Sequence, residues 1–163
     1  MKDEELKQLV SKKMFLIDCF LVTGTLKTEN NPDLILKHGV TNYFLGSVIL
    51  ELLIKILYEL DYKKQAPFTH NILKIFEELK QQTKSIVQEK YDQARKRKEE
   101  VFKKIDKSVT FPPLHEVLTS NEQFIKDFKY NAMASKTNSA IDGVFYNEII
   151  GLINSEVKKL NSA

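Results

Sequence analysis

Residues 43 to 62 read Tyr-Phe-Leu-Gly-Ser-Val-Ile-Leu-Glu-Leu-Leu-Ile-Lys-Ile-Leu-Tyr-Glu-Leu-Asp-Tyr, and this stretch decides the fold. Its apolar side chains recur every three or four residues and form a wide stripe, which is typical of a helix that neighbours contact on several sides. No residue before Asp61 is expected to break the helix. The pattern therefore predicts a helix from Tyr43 to Tyr62 at the apolar centre of a bundle.

The composition favours an all-helical protein. The chain has 163 residues, which fits one domain with a continuous core, and 42% of its residues are hydrophobic. It has five glycines and four prolines, whereas chains built from many short strands need more turn residues. We expect a single all-α domain over residues 1–163, an up-and-down bundle of about five to six helices.

The same periodicity places the outer helices. It predicts a first helix over residues 3–22, stopped by Gly24, and a last helix over residues 141–160. The pattern between them is weak after Gly24. A short helix over residues 32–37, starting at a proline and capped by Asn31, is expected there as a separate element.

The long helical segment in the middle of the chain is expected to be interrupted. Thr69 is the predicted N-cap of the helix that follows a charged loop. Neither Gly nor Pro occurs between Pro67 and Pro112, but one helix of that length would exceed a compact domain. We therefore predict a break near Gln82 with Thr83 as a new cap.

The segment after this helix is expected to contain a turn at residues 111–113, a kink or interruption at 119–121 and an exposed loop at 131–140.

Several classes of protein are excluded or disfavoured. Cys19 is the single cysteine, which rules out an intramolecular disulfide and a cysteine-based zinc site. It lies in an apolar run, where we expect a buried, inert thiol. No signal-peptide pattern or apolar run long enough to span a bilayer is present. The sequence thus predicts a soluble cytoplasmic protein with no membrane partner.

The three histidines, His38, His70 and His115, do not form a metal-binding pattern. None lies at helical spacing from another histidine or from the cysteine. Phosphate-binding, dinucleotide-binding and hydrolase motifs are also missing. We therefore expect no metal and no cofactor.

Residues 80–107 concentrate the positive charge of the chain. They hold ten Lys or Arg and five Asp or Glu, a net charge of +5, although the whole protein is only +3. Arg95 and Arg97 lie in this segment and are candidate phosphate-binding residues. The alternative is a solvated helix face with ion pairs such as Asp92–Lys96 and Glu99–Lys103. Basic runs on helices are more often of this second kind.

Glu51 and Lys55 are spaced four residues apart on the most apolar helix. If they face water they form an ordinary helix-surface pair. If they point into the bundle, each needs a partner, since an unpaired buried charge is costly. His70, at the start of the next helix, is a candidate partner. The structural role is the favoured interpretation for all three.

Two stretches in order resemble the HEPN superfamily (the higher eukaryotes and prokaryotes nucleotide-binding domain). Residues 42–57 include Glu51-Leu-Leu-Ile-Lys55, similar to the Glu-Leu-x-x-Lys of that family, and residues 67–76 include Thr69-His70-Asn71-Ile72, similar to its Thr-His-Asp-Leu. Asn71 stands where Asp is usual. Later, Phe128-Lys129-Tyr130 stands where related bacterial proteins have Phe before Trp-Arg-Tyr. The resemblance covers about residues 42 to 130 by motif.

The resemblance implies a helical bundle, a homodimer and a bacterial stress or defence setting. Many HEPN proteins are metal-independent ribonucleases with an Arg-x-x-x-x-His motif, but Glu100 and Phe102 stand five residues after Arg95 and Arg97. The acid–base histidine and the phosphate-stabilising arginine of that mechanism therefore have no counterpart. The chain is accordingly grouped with the non-catalytic binding members. The candidate binding residues are Glu51, Lys55, His70, Arg95, Arg97, Lys129 and Tyr130.

Three hypotheses follow. The first is a non-catalytic HEPN-like bundle that binds a nucleotide, RNA or a protein. The second is a divergent ribonuclease that uses His70 or His115 with Arg95 or Arg97. The third is a protein-interaction subunit of a toxin–antitoxin or defence system.

Overall fold

A computed structural model describes residues 1–24, 32–121 and 143–162. These residues form six helices and no strand, which confirms the all-α class. The helices are α1 (Asp3–Gly24), α2 (Pro32–Tyr62), α3 (Ile72–Glu78), α4 (Gln81–Phe102), α5 (residues 114–121) and α6 (Gly143–Ser162). None of the described helices combines the length and the hydropathy that crossing a membrane requires.

The central helix α2 is longer than its sequence pattern predicted. It runs for 31 residues from Pro32 to Tyr62, so the separate short helix over residues 32–37 was wrong. A proline at the first helical position lacks only an N–H that would have no intrahelical partner, so the predicted start at Pro32 is confirmed. Glycines inside a helix cost about 1 kcal/mol each relative to alanine and do not interrupt its hydrogen bonds. The predicted cap Asn31 lies outside the described residues.

The apolar centre predicted for α2 is confirmed. This helix packs against α1, α3 and α6, and it buries Ile49, Leu50, Leu53, Ile54, Ile56, Leu57 and Tyr58. Its contact with α6 is close at Gly46, whose carbonyl accepts a 2.9 Å hydrogen bond from the Tyr146 hydroxyl. A Cβ atom at Gly46 would lie 3.0 Å from that hydroxyl oxygen. A side chain at this position would therefore require the Tyr146 hydroxyl to move by a small distance.

Helix α3 begins later than predicted and has a different cap. The side chain of Asn71 accepts a 2.9 Å hydrogen bond from the backbone N–H of Lys74 and so caps the helix. Thr69, the predicted cap, accepts instead from the N–H of Asn71 through its hydroxyl, at 3.1 Å. Two neighbouring residues could each serve as the cap, and Asn71 is the one placed directly before the first helical residue, Ile72.

The predicted break in the long central segment is present, but its capping was wrong. Helix α3 ends at Glu78 and α4 begins at Gln81. Asp61 of α2 accepts 2.8 Å hydrogen bonds from the N–H of Lys80 and from the Thr83 hydroxyl. Thr83 is thus a donor to a distant carboxylate and not a cap. The side chain that meets the start of α4 comes from about twenty residues earlier in the chain.

The predicted burial of Cys19 is wrong. Cys19 is exposed, not buried, because the core-facing side of α1 carries Leu6, Val10 and Ile17 and Cys19 lies on the opposite side. Residues 119–121 are helical, and the hydroxyls of Thr119 and Ser120 donate to carbonyls four residues earlier. The described segment ends at residue 121, so the kink or interruption expected at 119–121 stays a prediction. The predicted loop at 131–140 lies outside the described residues.

A buried ion pair joins α1 to α2. The Glu59 side chain is fully buried, and its Oε1 atom lies 2.5 Å from the Lys13 ammonium. The same oxygen accepts a 3.0 Å hydrogen bond from the backbone N–H of Ala66. Two charges removed from water in this way are tolerated because they compensate each other. Glu59 therefore links α1, α2 and the loop that leads to α3.

Replacing Lys13 by methionine is expected to destabilise the protein strongly. The substitution leaves the Glu59 carboxylate buried without its cation, which costs about 3 to 5 kcal/mol. Urea denaturation followed by circular dichroism would measure the loss in the free energy of unfolding. Lys12→Met, at an exposed neighbouring position, is the control, with a change within about 0.5 kcal/mol. A Lys13→Met protein as stable as the wild type would contradict the role of the pair.

Candidate functional site

Glu51, Lys55 and His70 converge on one another. The Lys55 ammonium lies 2.7 Å from Oε1 of Glu51, one helical turn away on α2. From the loop before α3, Nδ1 of His70 lies 3.0 Å and 3.2 Å from the two carboxylate oxygens of Glu51. One carboxylate therefore holds both an ammonium and an imidazole. The partnership of His70 with a buried pair, one of the sequence-based alternatives, is confirmed as geometry.

These three side chains, which we call the Glu51 cluster, are graded in exposure. Glu51 is 8% exposed, while the side chains of Lys55 and His70 are 14% and 48% exposed. The carboxylate therefore sits inside the bundle and the imidazole forms the open edge. A carboxylate at this depth needs charged or hydrogen-bonding partners, and the cluster supplies both.

The arrangement indicates which ring nitrogen of His70 carries a proton. A carboxylate accepts hydrogen bonds, so the contact with Glu51 assigns a proton to Nδ1 of His70. Within the described residues, Nε2 has no hydrogen-bond partner. The Lys55 ammonium has three N–H donors and uses one on Glu51. The cluster can thus offer a ring nitrogen and ammonium donors to a ligand, or move a proton at Nε2.

The loop of residues 63–71 positions His70 through contacts along its length. Lys63, which has a positive φ of 49°, pairs with Asp3 of α1 at 2.8 Å. Lys64 lies over the rings of Tyr58 and Tyr62, 5.2 Å from each ring centre, and its pKa is raised by the hydrogen bond to Tyr58. With the Glu59–Ala66 bond, these contacts attach the loop to α1 and α2.

The arginines of the basic segment are engaged within the protein. Arg95 Nε lies 3.3 Å from Oε1 of Glu99, and Arg97 is partly buried on the same helix. The Lys98 ammonium lies over the Phe111 ring at 5.5 Å. The contact of Arg95 with Glu99 thus lies toward the end of α4 and does not involve the Glu51 cluster. These contacts favour the solvated, ion-paired interpretation over a phosphate-binding surface.

Glu99 is the centre of these contacts. The predicted Glu99–Lys103 pair is present at 3.0 Å, whereas Asp92 accepts from the Gln88 amide at 3.1 Å. A hydrogen bond from Lys103, and then one from the Phe111 backbone amide, hold the pKa of Glu99 below its ordinary value. A carboxylate with a lowered pKa in the folded protein adds stability above its ordinary pKa, and loses it as the pH falls through the lowered value.

Replacing Glu99 by glutamine should therefore lower the melting temperature at pH 7. The difference in melting temperature between the variant and the wild type should shrink as the pH falls below the ordinary glutamate pKa of 4.5. The wild-type carboxylate then becomes protonated and, like glutamine, carries no charge. Thermal denaturation between pH 7 and pH 3 would measure this. Glu100→Gln, at an exposed adjacent position, is the control. A Glu99→Gln difference that does not vary with pH would contradict the assignment.

An open groove of about 670 Å³ runs along α4 beside Phe76. Its charged lining residues among those described are Lys84, Lys96, Glu89 and Asp92, so positive and negative charges balance. Several of its polar side chains bond one another, such as Gln93 to Glu89 at 3.0 Å. Polar side chains of the groove are therefore already engaged with one another, although the groove lies in the basic segment.

The remaining candidates are separate from the cluster or outside the described residues. His115 is exposed near the start of α5. Lys129 and Tyr130 lie outside the described residues. Among those described, no three or more metal-ligating side chains come together.

Sequence reasoning missed the ion pair of Lys13 and Glu59, because the two residues are 46 positions apart. The usable signal was a glutamate inside the most apolar helix.

Comparison with protein-family models, with curated proteins and with solved structures returns no match.

Proposed function

We propose that this chain is a non-catalytic HEPN-like binding bundle and that it takes a phosphate-bearing ligand, a nucleotide or RNA, at the Glu51 cluster. The supporting observation is the half-exposed His70 ring beside an ammonium with unused N–H donors, both held by one buried carboxylate. The bacterial stress or defence setting, a protein partner and the homodimer belong to the same proposal and rest on the resemblance alone.

A phosphate group suits the donors of the cluster. Phosphate oxygens accept hydrogen bonds from the Lys55 ammonium, and from Nε2 of His70 when both ring nitrogens carry a proton, and such charge-assisted bonds are stronger than neutral ones. Glu51 uses part of the positive charge of Lys55, so the site discriminates by geometry more than by net charge. The cluster is also held by helix α2 and by the attached loop, which lowers the cost of ordering it on binding.

The test is binding of a 5′-fluorescein-labelled single-stranded RNA, measured by fluorescence anisotropy. Removing a hydrogen bond to a charged group costs roughly 1.5–3 kcal/mol, so Lys55→Met and His70→Ala should each weaken binding roughly 10- to 100-fold. His115→Ala removes an exposed histidine elsewhere and should bind like the wild type. Binding should also weaken with salt, as phosphate contacts do.

Circular dichroism of each variant separates lost binding from lost folding. If the folded wild type does not bind RNA, the proposal is wrong. A different result would contradict the Glu51 cluster: Arg95→Ala and Arg97→Ala weaken binding, whereas His70→Ala leaves it unchanged. The binding site would then lie in the basic segment.

A divergent metal-independent ribonuclease is a second candidate, and the Glu51–His70 contact favours it specifically. With Nδ1 held by the carboxylate, Nε2 is free to accept the proton of a ribose 2′-hydroxyl. The resulting oxygen would attack the adjacent phosphorus to form a 2′,3′-cyclic phosphate and release the 5′-oxygen of the next nucleotide, which takes a proton from water, while the Lys55 ammonium offsets the developing charge. In this version His70 works with Glu51 and Lys55, not with an arginine.

Cleavage of labelled RNA in the presence of EDTA tests this candidate. If it holds, His70→Ala should abolish cleavage, Glu51→Gln should reduce it by misorienting the ring, and His115→Ala should retain it. No cleavage by the wild type removes the ribonuclease candidate and leaves the binding proposal intact. Cleavage that survives His70→Ala would exclude the Glu51 cluster as its source.

A further inference from the structure

Phe68 lies at the surface in an unusual way for a large apolar side chain. Its relative exposure is 106%, so the ring makes almost no contact with the protein. Burying a phenylalanine side chain is worth about 1.5–3 kcal/mol, and the fold leaves this stabilisation unused. Single exposed apolar residues are common, so exposure alone indicates nothing; the local backbone and the neighbours of Phe68 are what distinguish it.

The backbone on both sides of Phe68 is closed by hydrogen bonds. The carbonyl of Pro67 accepts a 2.9 Å hydrogen bond from the N–H of Thr69, which makes Phe68 the central residue of a three-residue turn. Before the turn, the N–H of Ala66 bonds to buried Glu59, and after it the Thr69 hydroxyl bonds to the N–H of Asn71. The exposed ring therefore projects from an ordered tip.

This tip is next to the open edge of the Glu51 cluster. Phe68 and His70 are two positions apart, and such a step spans at most about 7 Å between Cα atoms. A ligand that reaches the open edge of the Glu51 cluster therefore has the exposed Phe68 ring close to it along the chain.

We propose that Phe68 stacks on an unpaired nucleobase of the same ligand whose phosphate lies at Lys55 and His70. This inference rests on the proposed function and narrows its ligand to single-stranded RNA or a free nucleotide, because paired bases in a helix have no open face to stack on a side chain. An isolated aromatic ring suffices for base stacking. A protein contact would instead surround the ring with further apolar groups, whereas the exposed residues just before it, Lys64, Gln65 and Pro67, include one apolar side chain.

The experiment uses the full chain and a single-stranded RNA that carries fluorescein at its 5′ end and one 2-aminopurine, whose fluorescence falls when it stacks. Phe68→Ala should weaken RNA binding roughly 5- to 100-fold, the range for losing one base stack, and should abolish the 2-aminopurine quench. Competition by inorganic tripolyphosphate, which has no base, should give the same affinity for both proteins. Phe15→Ala, at an exposed phenylalanine on α1, is the matched control.

The outcomes separate the two proposals. If the wild type binds RNA through Lys55 and His70 but Phe68→Ala binds equally well with the same quench, stacking is wrong and the phosphate site stands. If Phe68→Ala loses RNA and tripolyphosphate to the same degree, Phe68 supports the loop and does not stack. If duplex RNA binds as tightly as single strands, the narrowed ligand class is wrong. If the wild type binds neither probe, the proposed function fails and the stacking proposal fails with it.

Discussion

Helix α2 carries three acidic side chains, Glu51, Glu59 and Asp61, in the half that packs into the core. A buried carboxylate is tolerated only when donors reach it, and a carboxylate in the last turn also opposes the helix dipole. Lys13 of α1 and Lys55 of α2 supply two of the donors, and the segment that follows supplies the ring of His70, a loop amide and the start of α4. The path of residues 63–83 therefore depends on the hydrogen bonds that the carboxylates of α2 require.

The same requirement explains how an otherwise apolar bundle presents a polar site. Glu51 is buried because α2 is central, and its need for partners draws Lys55 and His70 to it. Glu59 fixes the loop nearby through Ala66. The contacts that stabilise the buried carboxylate thus also hold the His70 ring in one orientation. The arginines of α4, which looked more suitable for phosphate by charge, are occupied by Glu99 or partly buried.

The errors of the sequence-based predictions share a physical origin. Local patterns chose Thr69 and Thr83 as caps because threonine is a good capping residue, but Asn71 and the distant Asp61 supply those hydrogen bonds. Weak periodicity suggested a gap before Tyr43, although helix formation tolerates poor helix formers when no proline interrupts it. Cys19 was placed inside by its apolar neighbours, but the side of a helix that faces the core is set by the packing partner.

Hydrophobic periodicity by itself determined the all-helical class, the central place of α2 and the need for a break before α4, because these follow from which residues must leave water. It also singled out Glu51, Lys55 and His70 as groups that would need partners if buried. Only the tertiary structure decided that they are buried together, that Glu59 pairs with Lys13 and that Phe68 stands free at a closed turn. Those facts depend on contacts between residues up to 46 positions apart, and no local pattern records which distant groups the packing brings within hydrogen-bonding distance.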